Sequence, residues 1–168
     1  TGLIAAFSAG RGKLHWSHTI GPSESSPLLI GRDNLYVADW NGDIWAFDAD
    51  NGRALWRRHV GGALKGAVAS AGGRLYIGSY DGHLYCLTLA GKGVWREASQ
   101  PRLGGHGRFY STPAVAYGRV YIGSTDGKVY SYGAASGRLI WSSSTGGYVY
   151  ASPAVWNDRV FAGSSFFP

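Results

Sequence analysis

The sequence has no methionine and a single cysteine, Cys86. Opening on Thr1 without an initiator residue, it reads as a processed chain or a piece of a longer one. One cysteine excludes an internal disulfide and lacks the spaced companions of a zinc site. Cys86 stands in an alternating apolar segment, where packing is its expected role, and it leaves the redox compartment open. No apolar run approaches the roughly 20 residues of a membrane-spanning helix, and no signal-peptide pattern marks the N-terminus. Charged residues make up only 15% of the chain, and Glu24 and Glu97 are its only glutamates. The net charge of +6 is scattered: Arg11, Lys13, Arg32, Arg53, Arg74, Lys92, Arg119, Lys128, Arg138 and Arg159 mostly flank turns. A nucleic-acid site gathers its basic residues into one stripe, so no nucleic-acid partner is expected.

What the chain has in abundance is glycine, 27 residues, and aromatics, including seven Trp and eleven Tyr. That mixture suits many short strands joined by tight turns. It is also periodic. Ala46 to Trp56 reads AFDADNGRALW, and Ala6 to Trp16 (AFSAGRGKLHW) and Ser131 to Trp141 (SYGAASGRLIW) repeat it. A shortened copy, CLTLAGKGVW, runs from Cys86 to Trp95. Trp16, Trp56, Trp95 and Trp141 are therefore 40, 39 and 46 residues apart. A second signature recurs in phase: LYVADWNG at Leu35–Gly42, LYIGSYDG at Leu75–Gly82, VYIGSTDG at Val120–Gly127, and in part VFAGS at Val160–Ser164.

Each period holds three turn signals. The dipeptides ending at Gly42, Gly82 and Gly127 predict type I′ hairpins with positive φ at both turn positions. Further turns fall at Asp50–Gly52 and Ala135–Gly137, and at Gly72–Gly73, Tyr117–Gly118 and Asn157–Asp158. Four short antiparallel strands in roughly 40–45 residues make one propeller blade. The predicted fold is all-β, a β-propeller domain or fragment over 1–168, with whole blades at 22–61, 62–104 and 105–146. Half-blades at 1–21 and 147–168 supply a fourth. The repeated Trp residues are expected to fill the wedges between blades. Either the two half-blades close a four-bladed ring, or the chain is half of an eight-bladed one completed by a second copy or a longer chain. Unpaired, both would leave exposed sheet edges.

These signatures resemble the quinoprotein-like (PQQ-like) β-propeller repeat, a Tyr-Val-Gly-Ser-x-Asp-Gly turn followed by Ala-x-Asp-x-x-Thr-Gly-x-x-x-Trp. Ala46 to Trp56 matches best, with Asn51 where the family has Thr. The resemblance covers nearly the whole chain, and Tyr110 to Ser164 is also similar to actinobacterial repeat proteins. It implies a seven- or eight-bladed ring for intact members and an extracytoplasmic location. It also implies two functional models. One is the quinoprotein dehydrogenases, which hold pyrroloquinoline quinone (PQQ) and calcium. The other is non-catalytic propellers, similar to the lipoprotein of the outer-membrane assembly machinery, which bind proteins.

The residues favour the second model. The dehydrogenases carry adjacent bridged cysteines, a catalytic Asp and a Glu/Asn pair on calcium, whereas this chain has only Cys86. Asp48, Asp50, Asp81, Asp126 and Asp158 all belong to turns, and Asp43 adjoins one. His15, His18, His59, His83 and His106 show no metal-ligand spacing, and no serine stands in a nucleophile elbow. The Gly104–Gly107 segment, GGHG, has no following helix to reinforce a phosphate cradle and reads as a long interblade loop. No catalytic residue, metal site or cofactor is expected. Loops entering successive innermost strands place Glu24, Lys65, Tyr110 and Tyr150 at near-equivalent positions on one face. With His106, Arg108, Phe109 and Tyr148 they form the candidate patch for a protein or glycan partner, since Tyr and Arg are favoured at interfaces. The alternatives are a fragment of a quinoprotein dehydrogenase and a structural half-propeller that self-assembles as a homodimer.

Overall fold

A computed structural model describes residues 1–31, 33–103 and 105–166; Arg32, Gly104 and Pro168 lie outside them. The described chain is built from strands alone, and no helix long and apolar enough to cross a membrane occurs among them. Strands β1 (Gly2–Phe7) and β2 (Leu14–Ile20) pair with each other. The first four-stranded sheet follows: β3 (Leu28–Ile30), β4 (Asn34–Ala38), β5 (Asp43–Asp48) and β6 (Ala54–His59). The second comprises β7 (Ala69–Ala71), β8 (Arg74–Gly78), β9 (His83–Thr88) and β10 (Gly93–Ala98). After a small hairpin, β11 (Pro101–Arg102) and β12 (Gly105–His106), the third contains β13 (Ala114–Ala116), β14 (Arg119–Gly123), β15 (Lys128–Gly133) and β16 (Leu139–Ser144). The chain ends on the pair β17 (Ala154–Trp156) and β18 (Arg159–Phe161). The β11–β12 hairpin crosses the boundary drawn at 104/105, so the long connection between the second and third blades has structure of its own.

The turns distribute their strain differently from the sequence expectation. Gly42, Gly82 and Gly127 have φ of 87°, 85° and 83°, but Asn41, Asp81 and Asp126 do not adopt positive φ. Asp39 N–H bonds the Asp43 carbonyl and Gly42 N–H the Asp39 carbonyl, a pattern repeated at Ser79–His83 and Ser124–Lys128. These are three-residue loops, a tight turn closed by a left-handed glycine, rather than type I′ hairpins. Two consecutive positive-φ residues occur instead between the first and second strands of a blade. They are Gly72–Gly73 (56°, 72°), Tyr117–Gly118 (51°, 69°) and Asn157–Asp158 (47°, 59°).

The core lies between sheets, and each wedge is closed by one repeated interlock. The Trp56 indole lies over Gly91 in the last turn of the next blade, and its Nε1–H donates to the Leu89 carbonyl at 3.1 Å. Trp16 does the same over Gly52 and to Ala49 (2.9 Å), and Trp95 over Gly137 and to Ala134 (3.2 Å). Those glycines hold φ of 77°, 72° and 74°, and a Cβ there would strike the indole. A bulge in the outer strand pair, such as the register shift between Ala46 and Phe47, turns each Trp inward. Tyrosines of the second strand add a donor to the same carbonyls: Tyr36 to Leu89 and Tyr76 to Ala134, each at 3.1 Å. Among the described residues, β1 pairs only with β2 and β18 only with β17. The half-blades therefore do not close a four-bladed ring within one chain; the molecule is an open part of a propeller.

Candidate functional site

The connections into the innermost strands thread between neighbouring turns in one pattern. Trp40, Tyr80, Thr125 and Ser165 donate their amides to the carbonyls of Pro22, Ala63, Arg108 and Tyr148. The amides of Leu64, Phe109 and Val149 bond back to Asp39, Ser79 and Ser124. Counting along these bonds puts Glu24, Lys65, Tyr110 and Tyr150 at the same position of four connections. They converge on a cleft of about 140 Å³, floored by the small residues Ser26, Ala67, Thr112 and Ser152. Hydroxyls stitch that floor: Ala67 N–H donates to Thr112 Oγ1 at 2.8 Å and Thr112 N–H to Ser152 Oγ at 3.0 Å.

The rim is aromatic and cationic. Tyr110 Oη donates to Glu24 Oε2 at 3.3 Å, across 86 residues of sequence. Its ring meets Tyr150 edge-on with centroids 5.3 Å apart, and Tyr80 at 5.9 Å. Tyr148 lies 5.9 Å beyond Tyr150. Arg108 caps the Tyr80 ring at 5.2 Å, and the Lys65 ammonium sits over Trp40 at 2.9 Å from its centroid. Burial first, and then the Glu24 carboxylate, holds the Tyr110 phenol above its ordinary value. Burial also raises Tyr80, with Tyr150 adding to it and Arg108 opposing. Both phenols are thus neutral donors at physiological pH.

Two expected residues fall outside this rim. Phe109 is fully buried, edge-on to Tyr130 and Tyr132. It shares its position with the buried Leu64 and Val149, so alternation along the connection points it into the wedge while Arg108 and Tyr110 face outward. His106 is exposed but sits beside Gly82 and His83, its Nδ1 2.7 Å from the Ser99 carbonyl oxygen. Within the GGHG segment, Gly104 lies outside the described residues. Gly105 and His106 form β12, and Gly107 packs against Asp126, which is a hairpin and not a phosphate cradle.

Sequence reading missed Trp40 and Tyr80, whose rings carry both cations; their signal is that each follows the residue closing the loop at Asp39 or Ser79. It also missed Asp39, fully buried and accepting from Gly21 N–H (3.0 Å), Asn41 N–H (2.9 Å), Asp43 N–H (3.1 Å) and Trp45 Nε1–H (2.9 Å). Asp43, also buried, takes Arg57 at 2.5 Å.

The donors that this chain itself brings to the cleft do not by themselves make a calcium-held PQQ site. Among the described residues, Glu24 and Lys65 are the only charged side chains lining the cleft. Calcium needs several converging oxygens, and among the described residues no three His, Cys, Asp or Glu come together. Cys86 is buried and does not line the cleft, and burial pushes its thiol up to about 11.

Comparison with known proteins bears on the same geometry. The family model for outer membrane protein assembly factor BamB matches residues 1–164. The crystal structure of BamB from Moraxella catarrhalis is similar with a TM-score of 0.80 at 20% identity, covering 95% of this chain and 51% of its own. The quinohemoprotein alcohol dehydrogenase ADHIIG of Pseudomonas putida HK5 gives 0.68 at 22% identity over 74% of this chain and 21% of its own. That of Comamonas testosteroni gives 0.65 at 24% identity, again over 74% and 21%. At these identities the likeness is one of fold, and the chain spans about half the length of the BamB structure. No curated protein sequence matches it significantly.

Proposed function

Because the chain belongs to the family of outer membrane protein assembly factor BamB, we propose that it is a non-catalytic propeller module that holds a protein partner on its Glu24–Tyr150 face, outside the cytoplasm. The observation that carries this reading is the convergence of four equivalent connection residues, Glu24, Lys65, Tyr110 and Tyr150, on one cleft rimmed by Trp40, Tyr80 and Arg108. Neutral phenols, cation-capped rings and a shallow cleft suit extended peptide better than a small molecule. Aromatic and Arg side chains supply most of the energy of such contacts, and both cations are held over rings that orient them. The name of the family's type protein, an assembly factor, supports a protein in preference to a glycan.

Panning a random peptide library on the chain tests the reading. Peptides selected by the native protein should bind the Arg108→Ala/Tyr110→Ala variant at least tenfold more weakly, with the far-UV circular dichroism unchanged. Equal affinity for both proteins removes this face from the function. The second reading, quinoprotein chemistry, draws on the fold shared with the two dehydrogenases. Saturable quenching of tryptophan fluorescence by PQQ with calcium would favour it over the module.

A further inference from the structure

In every wedge the outer strand of one blade faces the third strand of the next, and the side chains that fill its outer mouth differ from wedge to wedge. Ahead of the first blade, His18 packs 5.7 Å from the Trp45 ring and 4.9 Å from the Phe47 ring. Ahead of the third blade, Tyr130 and Tyr132 stand at the positions of Trp45 and Phe47. Gln100 bridges that mouth, its Oε1 accepting from Lys128 Nζ at 2.8 Å and from Ser142 Oγ at 3.0 Å. Between the first and second blades the same two positions are Tyr85 and Leu87. Leu87 is smaller than Phe47 or Tyr132, and no bridging side chain fills the difference. A groove of about 310 Å³ stands open there, with Val60, Leu87 and Val94 among its walls.

The rim of this groove carries two arginines, Arg58 and Arg96. Arg58 stands two residues after Trp56 and so shares the face of β6 that is turned to the second blade. Arg96 lies opposite Tyr85 on β10, the position that Arg57 holds opposite Trp45 on β6. Arg57 is neutralised by Asp43. The second blade has His83 where the first has Asp43, since Asp43 opposes His59 and His83 opposes Ala98 in the same register. Arg96 therefore lacks the carboxylate that its counterpart uses. The nearby acids are engaged elsewhere. Glu97 points to the third blade, its Cγ 3.0 Å from where a Gly137 Cβ would be. Asp81 accepts from Tyr85 Oη and lies beside His83, while Asp43 also takes His59. Among the described residues neither Arg58 nor Arg96 forms an ion pair. Two like charges on one groove favour an anion between them.

We propose that this groove binds a small amphiphilic carboxylate, its head between Arg58 and Arg96 and its apolar body along Val60, Leu87 and Val94. Guanidinium forks match the planar carboxylate. Asp81, one layer behind Tyr85, opposes a doubly charged head, so a single negative charge suits the rim better than a phosphate monoester. A bare anion would use the rim alone and a neutral apolar molecule the walls alone. Only an amphiphile uses both, and an apolar lining with a few placed polar groups is the make-up of small-molecule sites. The two blades that form the groove are complete four-stranded sheets. The groove shares no lining residue with the Glu24–Tyr150 cleft, so the site does not rest on the partner-binding reading.

Isothermal titration calorimetry with 2-naphthoate as the probe should show saturable binding at one site. The neutral analogue 2-naphthalenemethanol and inorganic phosphate should each bind at least about tenfold more weakly, since each forgoes one half of the contact. Arg58→Gln/Arg96→Gln should weaken naphthoate binding at least about tenfold with the circular dichroism unchanged. Leu87→Phe, which installs the residue found at Phe47, should fill the groove and weaken binding as much with both arginines in place. Arg108→Ala/Tyr110→Ala should leave it unaltered, which separates this site from the cleft. No saturable binding, a neutral analogue or phosphate that binds as tightly as naphthoate, or undiminished affinity in the arginine variant would each overturn the proposal.

Discussion

Substituting both sides of one interlock measures what holds successive blades together. Trp56 and Gly91 are a clean pair, because the three nearest atoms to a Cβ at Gly91 all belong to the Trp56 ring, at 2.9, 2.9 and 3.1 Å. Trp56→Ala removes the indole from the wedge beside Tyr36 and should cost about 3–5 kcal/mol. Gly91→Ala pays two costs. A side chain at φ of 77° strains the backbone by about 1–2 kcal/mol. The new methyl also pushes the indole away from its seat, weakening a hydrogen bond to Leu89 with a net value of about 0.5–1.5 kcal/mol along with the stacking. In a chain that already carries Trp56→Ala the methyl meets no ring, and only the backbone strain remains. The double variant should therefore be more stable than the sum of the single losses predicts, by about 1–2 kcal/mol, within the range found for residues in contact. Urea denaturation followed by far-UV circular dichroism reads this, because removing a tryptophan compromises fluorescence. Losses that add to within about 0.5 kcal/mol would refute the interlock as an energetic unit.

Two further outcomes follow from buried polar groups. Burial, then the hydrogen bond to Asp81, raises the Tyr85 phenol from 10.0 to about 12, and burial raises Cys86 from 9.0 to about 11. Both folded values lie above the unfolded ones, so their contribution is complete below about pH 9 and is lost as pH rises towards 12; the urea midpoint should fall over that window, less steeply in Tyr85→Phe, and a flat profile would contradict it. Asp39→Ala strands four donors, two of them buried, and should cost about 3–5 kcal/mol, while Asp39→Ser, which installs the residue found at Ser79 and Ser124, should cost less. Urea midpoints in the order native, Ser, Ala test this, and an Ala variant as stable as the native chain would sink it.

Much of this was legible in the sequence because a repeat states its own spacing. The period, the strand count, the wedge tryptophans and the shared position of Glu24, Lys65, Tyr110 and Tyr150 all follow from aligning the chain with itself. The turns were harder. A two-residue turn and a three-residue loop both end on Gly, and the difference between them is whether Asp39 pairs with Asp43, a matter of register rather than composition. Positive φ at Tyr117 has no marker in residue type, whereas Asn157 and Asp158 are of the types that tolerate it. Phe109 was misplaced for a related reason: in a connection without regular strand, the inward position is set by the amide bond to Ser79. Asp39 stands where other blades carry Ser, a visible departure, but nothing in the sequence shows that four donors surround it.

The turn at Gly91 shows which part of the repeat the physics holds constant. Thr88 bonds Lys92, whereas Asp48 bonds Arg53, so the second blade's turn is one residue shorter. This explains why the Trp56–Trp95 spacing falls by one. The change of length leaves the left-handed glycine beneath the indole, and the carbonyl at Leu89 still receives Trp56 and Tyr36. Turn length can vary because the loop faces solvent. The glycine cannot, because only a residue without Cβ lets the ring reach the backbone it binds. The constant element of the repeat is therefore the contact between one blade and the next. Among the described residues, Gly12 and Trp141 repeat the two elements of that contact, a left-handed glycine and a ring paired with a tyrosine.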